Sequence, residues 1–347
     1  MKKFLSIALA LLMVCVMLPV VALAAEKTAS TYEELKSAIS TANDGDTIKL
    51  LADIDLSQTI TVNKTITLNM NGKKLYNTSD LWDKPTAEAN NWSLISVRGS
   101  GNLTITGNGT FAAKENDCYA VDVQESATVT IKNGTFIGNI HAVYVFAGTA
   151  NVEGGTYSVQ QKYPDSAKGD EFVLNCYDAN RANGTARINV TGGTFKNFNP
   201  ADNKAEGEGN NFADNSLVVQ KNNTVQNNDY YVGNAANEVI AAASKGEEIF
   251  VLNGTTLTNV PAGVIIQNRT GDRITVNGKD VELTGDAGYT VPASNITIIV
   301  PGDTTPAETP KTEDQKNPST GANDLVGLAA AAAVVALLGS AVVLRKK

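Results

Sequence analysis

A chain of 347 residues with 28 basic and 36 acidic side chains carries a formal charge of −8, and 42% of its residues are hydrophobic. That length can bury a core without covalent staples, and an acidic surface without Lys/Arg clusters argues against nucleic acid and anionic lipid as partners. Three cysteines make no disulfide framework, and the single histidine, His141, has no partner for a catalytic triad or a metal site, so a strand-start or surface role fits it better.

In chain order, Lys2 and Lys3 precede an apolar run from Phe4 to Val21 that is interrupted by Ser6 and Pro19. Ala22, Leu23 and Ala24 then supply the small residues of a cleavage site before Ala25. This is the layout of a secretory signal peptide over 1–24. Thr31-Tyr32-Glu33-Glu34 opens a helix with Leu35, Ala38, Ile39 and Ala42 on one face, Gly45 closes it, and Asp46 to Leu50 begin a strand. The helix is expected to cap the edge of the sheets that follow, since an open edge invites aggregation.

From about residue 60 to 200 one unit recurs as LTITGNGTF (103–111), VTIKNGTF (129–136), ANVEGGTY (150–157) and INVTGGTF (188–195). Each copy holds a period-2 strand, a turn, and Gly-Thr followed by an aromatic. Phe111, Phe136, Tyr157 and Phe195 are spaced by 25, 21 and 38 residues, and the longest interval holds an insertion at 162–170. A second strand family is SLISV (93–97), YAVDV (119–123), HAVYV (141–145) and FVLNC (172–176). Alternation turns Ile95, Val97, Val121, Val123, Val143, Val145, Leu174 and Cys176 inward. With no helical period between the strands, repeats of this length predict stacked coils, an all-β parallel β-helix with ladders of inward aromatics and aliphatics. An antiparallel β-sandwich also has short strands and turns, but it does not predict one triplet four times. The helix followed by Gly45-Asp46-Thr47-Ile48 resembles the opening of pectin-lyase-like proteins, and the likeness covers about 30–200. It implies a right-handed parallel β-helix over 25–230, in a fold that includes polysaccharide lyases and hydrolases.

NEVIAAASKGEEIFVL (237–252) repeats the pattern of EELKSAISTANDGDTIKLL (33–51), and ITVNGKDVEL (274–283) echoes ITLNMNGKKL (66–75). A shorter helix-plus-β module is therefore expected over 231–300. Residues 301–316 are mostly Pro, Thr, acidic residues and Lys with almost no apolar residue, the composition of a disordered spacer. Asn317-Pro318-Ser319-Thr320-Gly321 comes next, followed by an uncharged apolar run over 325–344 and then Arg345, Lys346 and Lys347. The run is long enough for a transmembrane helix, with the cations on the cytoplasmic side. Together, 317–347 resemble the sorting signal of Gram-positive cell-wall proteins, with Asn317 where the usual motif has leucine. The resemblance implies that a sortase cuts between Thr320 and Gly321 and joins Thr320 covalently to peptidoglycan. Membrane contact would precede sorting, and the mature chain, Ala25 to Thr320, would carry a charge of about −12.

Enzyme and binding readings then divide on the outward residues of the second strand family, Ser96, Asp122, Tyr144 and Asn175, which include one carboxylate and no cation. A hydrolase would need converging carboxylates, and a lyase would need Asp/Glu around Ca2+ beside a basic residue. Asp117, Asp122 and Asp178 are the enzyme candidates. Asp122 with Tyr144 is also a candidate glycan contact, although the simplest reading of both is as ordinary solvated residues of a solenoid face. Cys118 and Cys176, about two coils apart, are expected to be free thiols. The expected function is non-catalytic binding of host or dietary glycans or surface proteins, with no cofactor or metal; the alternatives are a surface polysaccharide lyase or hydrolase and a structural wall component.

Overall fold

The computed structural model describes residues 24–81, 93–115, 118–161, 172–202, 211–213, 216–221, 228–233, 236–253, 256–282 and 288–293. Strand is their main regular structure, with few helices, in sheets dominated by parallel pairing. Ala24 and Ala25 are exposed, whereas Ala22 and the rest of the segment expected to be a signal peptide, the 162–170 insertion, Asp117, the expected spacer over 301–316, the Asn317–Gly321 motif and the 325–344 run lie outside the described residues. Among the described residues no helix is long and apolar enough to cross a membrane.

The chain visits three parallel sheets in rotation, which gives a β-helix-like stack. One turn runs through Ile60–Val62 in the second sheet, Thr65–Asn69 in the first and Lys74–Tyr76 in the third; the next runs through Ser93–Val97, Asn102–Thr106 and Thr110–Ala112. Three further turns follow the same order, entering at Tyr119–Val123, Val143–Val145 and Leu174–Cys176. Residues equivalent by the repeat pair in register, so that Phe111 lies beside Phe136, Phe136 beside Tyr157, and Tyr157 beside Phe195.

The recurring triplet has a separate physical cause at each position. Gly134, Gly155 and Gly193 have φ of 120°, 101° and 120°, and a Cβ there would lie 3.0–3.2 Å from the carbonyl oxygen of the coil before. Positive φ and this close approach both select glycine. The threonine amide then donates to that same carbonyl: Thr135 to Gly109, Thr156 to Gly134 and Thr194 to Gly155, each at 2.8 Å. The aromatic turns inward, and the four rings stack with centroids 4.8, 5.1 and 4.9 Å apart and planes within 13° of parallel. Strand spacing sets this separation, which falls within the favourable range for ring pairs. The aliphatic ladder agrees with the alternation, since Ile95, Val97, Val121, Val123, Val143, Val145, Leu174 and Cys176 are all buried.

Helix α1, Tyr32–Ser40, packs against Glu26–Ala29 and Thr47–Leu50 at the N-terminal end of the stack. Thr31 Oγ1 accepts from the Glu34 amide at 3.2 Å, and Glu34 Oε2 accepts from the Ser30 amide at 2.7 Å, so side chains at both ends of the first turn satisfy helix-start amides. Leu35, Ala38, Ile39 and Ala42 are buried as the periodicity requires.

At the other end the pairing changes sense. Asp229–Gly233 runs antiparallel between Gly192–Lys196 and Leu217–Lys221, and Leu217–Lys221 in turn pairs antiparallel with Glu248–Val251. A second apolar cluster gathers Leu217, Val219, Val239, Ile249, Leu257, Ile266 and Val276, apart from the cluster inside the coils. Two short helices complete the described residues, α2 at Asp178–Ala182 and α3 at Ala236–Ala242.

Candidate functional site

The second sheet carries the chemistry-bearing face. Thr61, Ser96, Asp122, Tyr144 and Asn175 pair in register from coil to coil, which brings the expected outward column together. Two residues on, Arg98, Gln124, Phe146 and Tyr177 have the same parity in the pleat and extend the face.

Thr61 is exposed, but Ser96 and Asp122 beside it are not solvated, contrary to the simplest expectation. Ser96 is 0% exposed and Asp122 2% exposed. The Asp122 carboxylate accepts from Ser96 Oγ at 3.0 Å and from Gln124 Nε2 at 2.8 and 3.0 Å, and Arg98 Nε donates to Ser96 Oγ at 2.9 Å. Burial raises the Asp122 pKa to about 6, against the opposing pull of Gln124, Ser96 and the Arg98 charge. A buried carboxylate that accepts three hydrogen bonds from two side chains orders its neighbours and is poorly placed to take a sugar hydroxyl directly.

The column becomes aromatic toward its later coils. The Tyr144 ring lies 5.0 Å from Tyr119 and stacks on His141 at 5.4 Å. Burial first, then the charge of Asp122 and smaller contributions that include Asp178, pushes the Tyr144 phenol up to about 12. His141 is buried, with Nδ1 2.6 Å from the Phe172 carbonyl oxygen and Nε2 3.2 Å from Asn175 Nδ2. A carbonyl can only accept, so the proton sits on Nδ1 and Nε2 accepts from the amide. Burial lowers the His141 pKa to about 4, which keeps the ring neutral.

Phe146 and Tyr177 stack on each other 4.8 Å apart with planes 25° from parallel, yet remain 39% and 44% exposed. Tyr177 immediately precedes α2, where Asn180 Nδ2 donates to the Phe146 carbonyl at 2.7 Å and ties the two coils together. Alternation beyond Tyr144 and Asn175 would have pointed to this pair, but their mutual stacking requires the coil register.

Of the enzyme candidates, Asp122 sits in this network and Asp178 is exposed at the start of α2, both acting electrostatically on Tyr144. Asp117 lies outside the described residues. Cys118 and Cys176 are buried thiols with no disulfide between them, and burial pushes the Cys118 thiol up to about 12, which makes it a poor nucleophile. No group of three or more His, Cys, Asp or Glu side chains able to hold a metal occurs among the described residues. Comparison with family models, curated proteins and solved structures gives no match.

Proposed function

We propose that this chain is an exported, sortase-anchored wall protein whose right-handed, pectin-lyase-like parallel β-helix binds a glycan without cleaving it. The observation that carries the binding reading is the exposed stacked pair Phe146 and Tyr177, continuous with Tyr144 on one sheet face. Two large rings left in water with their orientation fixed by stacking form a platform for the apolar face of a pyranose. The Asp122 network beneath is read as a support that holds this face rigid. The role given to 317–347 is a covalent link through Thr320 after the 325–344 span has halted export, with α1 capping the β-helix and 231–300 a smaller appended module.

Cells displaying the chain, and chain released from them, are to be incubated with a polysaccharide panel with and without Ca2+. Retention on at least one polysaccharide is expected, with no new chain ends. Phe146→Ala and Tyr177→Ala should each weaken it by about tenfold, the effect of losing one stacked ring at a contact. New chain ends would instead favour a lyase or hydrolase and turn attention to Asp117, Asp122 and Asp178. Retention unchanged in both variants would sink the platform. The anchoring half has its own readout: Thr320→Ala should move the protein from the wall fraction to the membrane or medium, and an unchanged wall fraction would remove the sortase from the account.

A further inference from the structure

On the third sheet, where parallel coils give way to antiparallel strands, lies a cleft of about 710 Å3 that shares no residue with the Phe146 face. Its size is in the range of small-ligand sites. The floor is made by two stacked turns, Gly154-Gly155 and Gly192-Gly193. Coil packing accounts for these glycines, because a Cβ on Gly192 would lie 2.2 Å from the Glu153 carbonyl oxygen. The consequence is a floor of bare peptide groups over which a ligand can approach the backbone closely.

The walls come from distant parts of the chain. Glu153 belongs to one coil, Thr191 and Thr194 to the next, while Tyr231 and Val232 arrive on the antiparallel strand Asp229–Gly233 and Glu238 on α3, which packs against that strand. Tyr231 lies close enough to Glu238 for the carboxylate to raise its phenol pKa, after the larger effect of burial. Both glutamates are exposed, and neither takes part in an ion pair among the described residues. None of the described lining residues is basic.

We infer that this cleft binds an amino-sugar residue with a free ammonium group. The two carboxylates supply the only charge among the described lining residues and favour a cation, the Tyr231 ring offers a face for the cation or for the pyranose, and the threonine hydroxyls and peptide groups match sugar hydroxyls. The inference shares with the proposed function only the premise that the ligand is a glycan.

The test uses the full-length chain in detergent, titrated calorimetrically with a β-linked glucosamine tetrasaccharide, its fully N-acetylated counterpart, and Nα-acetyl-lysine methylamide. Binding of the free-amine sugar is expected, weakened about tenfold by N-acetylation and by Glu153→Gln or Glu238→Gln, and weakened further by salt. Both glutamates are exposed, so the melting temperature should stay within a degree or two of the parent and show that the variants fold. The preference for the free amine and its dependence on Glu153 and Glu238 should persist in a Phe146→Ala background, where the platform no longer contributes, which separates a failure here from failure of the platform. Equal binding of the N-acetylated sugar, binding of the lysine amide alone, or no binding at all would each overturn the inference.

Discussion

Phe136→Ala is expected to destabilise the fold by about 3–5 kcal/mol, the range for deleting a large buried aromatic side chain. The ring is fully buried and lies between Phe111 at 4.8 Å and Tyr157 at 5.1 Å, so both faces are in contact. Truncation removes the apolar burial and both ring contacts, each contact adding about 0.5–1.5 kcal/mol beyond burial. The strands on either side stay fixed by the Thr135 and Thr156 amide bonds, which limits collapse of the cavity. Phe136→Leu keeps most of the volume and should cost about half as much. Urea unfolding followed by tryptophan fluorescence and circular dichroism would measure both variants. A loss below about 1 kcal/mol for Phe136→Ala would mean that the ladder is not a principal source of stability.

The second large effect is a pair of opposed pH dependences in one sheet. Asp122 titrates near 6 in the folded protein against an ordinary value of 3.8, so the folded state binds more protons between those limits. Its contribution is therefore fully present below pH 3.8 and is lost as pH rises through 6, about 3 kcal/mol by linkage. His141 titrates near 4 against 6.5, so the unfolded state binds more protons, and its contribution is present above 6.5 and lost as pH falls through 4. The two slopes have opposite signs over nearly the same window and should largely cancel in the parent protein.

Asp122→Asn should expose the histidine term and give a chain that loses about 2–3 kcal/mol between pH 6.5 and 4 relative to the parent. His141→Gln should expose the carboxylate term and give a chain relatively more stable at pH 4 than at pH 6.5. Either substitution alters packing as well, so the slope against pH is the quantity to compare, not the absolute stability. Stability curves of both variants that run parallel to the parent's would show that neither group is shifted by burial.

Much of the fold was legible because its signals are local and repeated. The Gly-Thr-aromatic triplet encodes an amide bonded to the preceding coil and an inward ring, with a positive φ at the glycine in the last three copies, and alternation assigned the aliphatic ladder from Ile95 to Cys176. The candidate site was legible only as a column. Register placed Ser96, Asp122, Tyr144 and Asn175 side by side, but alternation reports which way a side chain points and carries no information about whether that side is covered. Asp122 points outward and is nonetheless buried, which is why its pKa, and with it its role, could not be read from spacing.

Two segments that share an Asn-Gly-Lys turn between apolar strands show where the sequence's authority ends. Asn71-Gly72 and Asn277-Gly278 both adopt paired positive φ, at 49° and 72° in one and 50° and 77° in the other, so the local sequence alone determined the turn. In the first, the flanking strands Thr65–Asn69 and Lys74–Tyr76 enter different sheets and each pairs in parallel with a neighbouring coil. In the second, Ile274–Val276 and Lys279–Val281 pair with each other as an antiparallel hairpin. Asn71 Nδ2 donates to the Leu50 carbonyl of the coil before, at 2.9 Å, and Asn277 Nδ2 makes the corresponding bond to Val260, also at 2.9 Å. Side-chain chemistry thus specified each turn and its anchor. Only the tertiary structure decided the partners of the flanking strands, because a strand's backbone groups pair with whichever edge the rest of the chain brings alongside. The same long-range arrangement brings Glu238 into the lining of one cleft with Glu153, 85 positions earlier in the sequence.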